Sequence, residues 1–139
     1  MTPETLNLIK KHEGFRPNVY KCTAGYDTIA YGKRIEYLNV SEKIGEEWLK
    51  EDCDDIEVKL CQKFSWFISS PPKVQSVVLD MCYQMGVSGF SKFKKTISFI
   101  EHGEYALASK EMLDSKWAKE DSPNRAKENS DLMASCREN

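Results

Sequence analysis

A carboxylate, a thiol and a hydroxyl stand within sixteen residues near the start of the chain. They are Glu13, Cys22 and Thr28, in the stretch EGFRPNVYKCTAGYDTIAYG. Cleaving a glycosidic bond needs an acid to protonate the leaving oxygen. It also needs a second group that guides water or attacks the sugar. Glu13 suits the acid if it stands at the mouth between a helix and a β lobe, since clefts between lobes are usual substrate sites. By spacing alone, a solvated glutamate at a helix end is the commoner explanation, and Cys22 reads equally as a packing residue.

Other chemistries find less support. The chain has two histidines, no HExxH and no P-loop, so no metal and no cofactor is expected. Five cysteines (Cys22, Cys53, Cys61, Cys82, Cys136) are an odd number with no CxxC. Cys53 and Cys61 share a helical stretch, where eight positions of rise separate them by ~12 Å, too far to bridge. Four of the five are expected to be free thiols, mostly packing residues. Twenty basic against twenty-two acidic residues give a net charge of −2, without the basic excess of a nucleic-acid partner. No run of apolar residues is long enough to span a membrane, and the N-terminus does not read as a secretory signal.

The elements that must position these residues follow from local pattern. Thr2-Pro3 reads as a helix start, with Leu6, Ile9 and the stem of Lys10 on one face and a stop near Gly14. Glu13 then sits in the last turn, where the helix dipole disfavours an acid. Turn signals at Arg16-Pro17-Asn18 and Ala24-Gly25 separate β-type runs at Val19-Tyr20, Thr28-Tyr31 and Arg34-Ile35. Such a lobe is too small to stand alone. Ser41 can cap a long helix over 42–64, with Ile44, Trp48, Leu49, Ile56 and Leu60 in a 3.6 period. Ser69-Ser70-Pro71-Pro72 breaks the chain. The apolar run from Val74 to Met85 predicts a central buried helix ended by Gly86 and Gly89. Further helices are predicted around Phe93–Ile100, over Tyr105–Trp117, and from Asn124 to Ala134 behind a Ser122-Pro123 cap. Residues 135–139 read as frayed.

Taken together, Glu13-Gly14-Phe15-Arg16, Tyr20-Lys21-Cys22-Thr23-Ala24-Gly25 and Thr28-Ile29-Ala30-Tyr31-Gly32 resemble the bacteriophage-type lysozymes of glycoside hydrolase family 24. Asp80 to Gly86, Trp117 and Pro123 to Lys127 continue the likeness. The resemblance implies a mainly helical α+β, lysozyme-like fold in a single domain over 1–139. Its β lobe would cover about 14–40, its linker helix 42–64, and its helical lobe 65–135 together with helix 3–13. It implies a muramidase of bacterial peptidoglycan, with Glu13 as general acid and Cys22 and Thr28 positioning the attacking water. Gly32, Arg34, Tyr83, Gln84, Thr96 and Glu111 would line the saccharide, and Arg125 would contact the catalytic glutamate. Such an arginine lowers a carboxyl pKa, whereas an acid needs it raised.

The sequence also departs from the family. Cys22 stands where many members have Asp, Ala30 replaces a glycine, and Lys33 replaces a common His. Arg34 and Glu111 fall where relatives place apolar and amide groups. A mostly neutral Cys22 thiol is expected, raised by Glu13 and lowered by Lys21. A thiolate attacking the anomeric carbon with retention stays open beside a single inverting displacement. Two further readings are a lytic transglycosylase using Glu13 alone and a non-catalytic peptidoglycan-binding module. The partners implied are peptidoglycan glycan strands and a holin-like membrane-permeabilising protein. The chain is expected to be a monomer made in the host bacterial cytoplasm and acting in the periplasm.

Overall fold

In the computed structural model the chain enters its first helix as its sequence directs. The Thr5 N–H donates to the Thr2 hydroxyl at 3.2 Å, and Pro3 takes the first helical position. Helix α1 runs Pro3–Glu13 and stops at Gly14, whose φ of 71° needs a residue without Cβ. Glu13 is thus the last residue of α1. The structure describes residues 1–136, so of the tail expected to fray over 135–139 all but Ser135 and Cys136 lies outside the described residues.

Three short strands follow: β1 (Arg16–Lys21), β2 (Asp27–Ala30) and β3 (Lys33–Arg34), antiparallel in the order β1-β2-β3. Thr28 lies in the central strand, opposite Tyr20 on one side and Arg34 on the other. The register slips between Arg16 and Tyr20, where Pro17 has no N–H to give the ladder. Strand β2 keeps the expected four residues but lies one position earlier, over Asp27–Ala30 instead of Thr28–Tyr31. Ala30 adopts φ 58°, a left-handed turn that breaks the ladder before Tyr31. Ile35, expected in a strand, instead opens a 3₁₀ turn over Ile35–Tyr37.

Helix α2 (Glu42–Lys63) starts where Ser41 accepts the Ile44 N–H at 3.2 Å. Only Leu60 of this helix is buried. Ile44, Trp48 and Leu49 are between 42% and 49% exposed, so the period read from sequence becomes packing only over the last turns, at Ile56 and Leu60. The chain divides into two compact units, residues 1–45 and the residues from 46 onward.

The second unit holds α3 (Pro72–Phe90), α4 (Lys94–Glu101), α5 (Tyr105–Leu113) and α6 (Pro123–Ala134). Helix α3 is the central helix the apolar run called for. It contributes Val74, Val77, Val78, Met81, Cys82 and Phe90 to a core with Leu60, Phe67, Met112 and Met133. Gly86 does not end it. At φ 79° and ψ 160° it kinks the chain, and a last turn to Phe90 continues beyond.

Trp117 does not extend α5. The chain leaves the helix at Asp114, and Trp117–Asp121 forms a separate π turn closed by Ser122 N–H to the Trp117 carbonyl at 2.8 Å. The wide turn buries the indole to 6% exposure and aims its N–H at Gln84. Ser122 precedes α6 without capping it, because its hydroxyl instead accepts from the Gln84 amide at 2.7 Å. Six α-helices among the described residues, with one small antiparallel sheet near the N-terminus, make the mainly helical α+β, lysozyme-like architecture expected.

Candidate active site

Glu13, Cys22, Thr28, Gly32 and Arg34 lie in the first unit, and Tyr83, Gln84, Thr96, Glu111 and Arg125 in the second. In the first unit the residues meet in two pairs. The end of α1 brings the Glu13 carboxylate onto the backbone of Gly32, in the turn between β2 and β3. A Cβ at residue 32 would stand 2.5 Å from Glu13 Oε2. Gly32 is therefore the seat of the carboxylate, and its φ of 75° fits glycine as well. Phe15 and Tyr31, with ring centroids 5.3 Å apart, pack beside this seat, and the Lys10 ammonium lies 5.7 Å from the Tyr31 ring.

Cys22 and Thr28 form the second pair. Residues 22–26 fold into a tight turn in which Cys22 N–H donates to the Tyr26 carbonyl at 2.9 Å and Gly25 N–H to the Cys22 carbonyl at 2.8 Å. The Tyr26 backbone is the largest influence lowering the Cys22 thiol pKa. The Ala24 backbone, the Thr28 hydroxyl and the Gly25 backbone lower it further, while desolvation opposes them. These influences favour the charged thiol more than a free cysteine would. Lys21, expected to lower the thiol, instead holds Asp27 at 2.7 Å.

Thr28 is 2% exposed and donates its one proton to the Tyr26 carbonyl at 2.9 Å. That proton serves one acceptor at a time.

Arg34 is clamped rather than free. Its guanidinium lies 3.5 Å from the centroid of Tyr26 and 4.8 Å from that of Tyr37, and it pairs with Glu36. Its Nε is buried without a hydrogen-bond partner.

In the second unit Tyr83 is 48% exposed at the end of the core-facing stretch of α3. Gln84 has both ends of its amide engaged, accepting from Trp117 Nε1 at 2.9 Å and donating to Ser122 at 2.7 Å. Thr96, 2% exposed, and Glu111 line one cavity of about 300 Å³ beside the start of α4. Arg125 makes a bidentate pair with Asp80, Nε at 2.8 Å and Nη2 at 2.7 Å, and Asn129 adds a bond to the same carboxylate at 2.8 Å. These bonds hold the Asp80 carboxyl below the usual range.

Sequence reasoning gave no role to Asp80, nor to Tyr26 and Tyr37. The Asp80–Arg125 pair joins positions 45 apart, and no periodicity signals such a contact. All five cysteines are free thiols, and only Cys82 is a buried packing residue. Cys136 is partly buried against the core, Cys22 and Cys53 are intermediate and Cys61 is exposed, so fewer of them are core-packing residues than expected. Among the described residues no cluster of His, Cys, Asp and Glu could hold a metal.

A small β lobe carrying a carboxylate at a helix end, followed by a long helix and a helical lobe, is the frame of a lysozyme-type glycosidase. The profile of the phage lysozyme family matches residues 10–131, most of the chain, and the chain belongs to that family. It is 26% identical to a probable T4-type lysozyme 1 of Dictyostelium discoideum, over 91% of each chain. It is 27% identical to an endolysin of Acyrthosiphon pisum secondary endosymbiont phage 1, over 82% of this chain and 77% of that one. Its activity class is accordingly hydrolysis of peptidoglycan.

Proposed function

We propose that the chain is an endolysin muramidase that hydrolyses the β-1,4 bond between N-acetylmuramic acid and N-acetylglucosamine. Glu13 donates its proton to the leaving glycosidic oxygen as the bond to the anomeric carbon breaks. Cys22 and Thr28 hold the water whose oxygen attacks that carbon from the other side, in one inverting displacement. The observation that carries this reading is the Cys22 turn. The turn at 22–26 lowers the Cys22 thiol from its ordinary value, chiefly through the Tyr26 backbone, and so helps the sulfur take the proton that the water loses.

Gly32 seats the acid, and Arg34, Tyr83, Thr96 and Glu111 contact the saccharide. Gln84 acts by ordering Trp117 and Ser122, since both ends of its amide are already bonded. Arg125, held by Asp80, supports the site. The protein works as a monomer and as one lysozyme-like domain over 1–139. It is made in the host bacterial cytoplasm and lyses the cell from within. No described helix is long and apolar enough to cross a membrane, so a holin-like permeabilising partner opens the way to the periplasm in this reading.

The test is mass analysis of soluble fragments released from purified peptidoglycan, with the anomeric configuration followed by NMR. Reducing-end muramic acid with inverted configuration, lost by about a thousandfold in Glu13→Gln, is the expected result. Anhydro-muramic acid ends would move the chemistry to transglycosylation by Glu13 alone and return Cys22 to a packing role. Retained configuration would make the thiolate a nucleophile.

A further inference from the structure

A cavity of about 560 Å³ opens in the second unit between the turn that leads into α3 and the end of α4. That volume suits a small-molecule site. Trp66, Ser69 and Ser70 reach it from the turn, and Glu101, His102 and Tyr105 from the junction of α4 and α5. None of the residues proposed to contact the saccharide lines it.

Several donors along the wall are already spent within the fold. The Ser69 and Ser70 hydroxyls both donate to the Trp66 carbonyl, at 3.2 and 2.7 Å. A hydroxyl has one proton, so each leaves only lone pairs for anything else. Ser70, His102 and Gly103 give their N–H groups to the carbonyls of Phe67, Ser98 and Ile100. His102 Nδ1 lies 2.7 Å from the same Ser98 carbonyl, which places a ring proton on Nδ1 and makes Nε2 an acceptor in the neutral imidazole. Pro71 and Pro72 open α3 without N–H groups, so this helix start lacks amides that would gather an anion.

Charge points the same way. The lining carries one carboxylate, Glu101, and no Lys or Arg. Glu101 is exposed and takes no part in the ion pairs among the described residues. Lys73, next along the chain from Pro72, reaches instead to Ser135 at 3.4 Å. The C-terminal end of α4, where the helix dipole favours a cation, borders the cavity. Trp66 and Tyr105 add aromatic rings, which attract cations, and both are partly buried against the core and so held in place.

We propose that this cavity binds a primary ammonium group on a short apolar stem. The charge meets Glu101, the ammonium protons meet the serine and imidazole acceptors, and the stem lies against Trp66 and Tyr105. A quaternary ammonium would satisfy the carboxylate and the rings but leave the acceptors unused. Primary amines occur on unlinked diamino acids of a bacterial wall and in solution as polyamines. The site gives the helical unit an attachment point separate from glycan cleavage.

The test is titration of the full chain with hexylamine, hexanol, hexanoate and hexyltrimethylammonium at constant salt. It is read by NMR at the Trp66 indole N–H and the Gly103 amide, with the Trp48 and Trp117 indoles as internal controls. Hexylamine is expected to shift Trp66 saturably, at least about tenfold more tightly than hexanol or hexanoate and about fivefold more tightly than hexyltrimethylammonium. Glu101→Gln, at an exposed position where folding is not at risk, is expected to weaken hexylamine about fivefold or more. Shifts that never saturate, hexanol or hexyltrimethylammonium binding as well as hexylamine, or no loss in Glu101→Gln would overturn the site.

Binding of Glu13→Gln protein to intact sacculi, before and after N-acetylation of their amines, separates the two sources. A loss of about fivefold or more on acetylation assigns the site to wall amines, and unchanged binding assigns it to free amines. Both outcomes uphold the ammonium site. Because hexylamine involves no glycan, its failure would leave the muramidase reading to stand or fall on the fragment analysis alone.

Discussion

The two units of the chain are held together by different forces. From residue 46 onward Phe67, Phe90, Met81, Met112 and Met133 are buried to 0% exposure, in a core that α3 crosses. In residues 1–45 the buried side chain among those described is Thr28, which is polar. That first unit relies on turns, a three-strand ladder and cations laid on rings, at Arg16–Tyr20, Arg34–Tyr26 and Lys10–Tyr31. Apolar burial contributes about 1.5–3 kcal/mol for each large side chain, whereas an exposed cation–ring contact contributes about 0.5–1 kcal/mol. Stability is therefore concentrated in the helical unit, while the reactive groups sit where backbone geometry, not packing, fixes them.

The same contrast divides two cysteines. Burial pushes the Cys82 thiol up to about 12, while turn amides pull Cys22 below the ordinary thiol value.

The largest effect that would test this contrast is on chemistry. Gly32→Ala puts a methyl 2.5 Å from Glu13 Oε2, at a backbone φ of 75°. The carboxylate ends a flexible side chain and swings away, so the unfolding free energy falls by only about 1 kcal/mol. Peptidoglycan hydrolysis is expected to drop about a hundredfold, because a displaced acid no longer reaches the leaving oxygen. A variant that keeps wild-type kcat would show that Gly32 does not seat the acid.

Phe67→Ala should do the reverse. It is expected to cost about 3–5 kcal/mol in urea unfolding. Where the variant stays folded, kcat should move little. A loss under 1 kcal/mol would remove the helical unit as the seat of stability.

Thiol reactivity sharpens the comparison further. With iodoacetamide at pH 8, Cys22 should be modified at least about a hundredfold faster than Cys82, as followed by peptide mass analysis. Activity should fall in step with Cys22 labelling, and Cys22→Ser should lose that sensitivity. Full activity after complete Cys22 labelling would end its proposed role.

The smallest effect concerns acid stability of the helical unit. The Asp80 carboxyl is held below its ordinary value by Arg125, so its contribution is present above an unfolded value near ~3.9 and lost as pH falls through the lower folded value. The pair is 37% and 41% exposed, which limits that contribution to about 1 kcal/mol. Asp80→Asn should lower stability by that amount at pH 7 and flatten the loss between pH 4 and the acid transition. An unchanged slope would mean the pair is screened to nothing.

Much of this was legible in the sequence, for reasons that differ by element. The Thr2-Pro3 start, the Gly14 stop and the Ser41 cap were readable because each is local backbone chemistry. The buried helix around Val74–Met85 was readable because a helix without a charged face has to be covered. Trp117 misled, because its spacing from Met112 and Leu113 fits a helix, while its burial and its bond to Gln84 hold a π turn. Gly86 misled in the opposite sense, since a glycine at positive φ kinks a helix as readily as it ends one.

The sequence by itself determined the family, the helical lobe and small β lobe, and the positions of Glu13, Cys22 and Thr28, because these depend on residue type and short spacing. Tertiary structure decided which residue seats the carboxylate and that Asp80 rather than any nearer acid holds Arg125. Those are through-space contacts between segments that meet only when the chain folds, and no local period or motif encodes the distance between them.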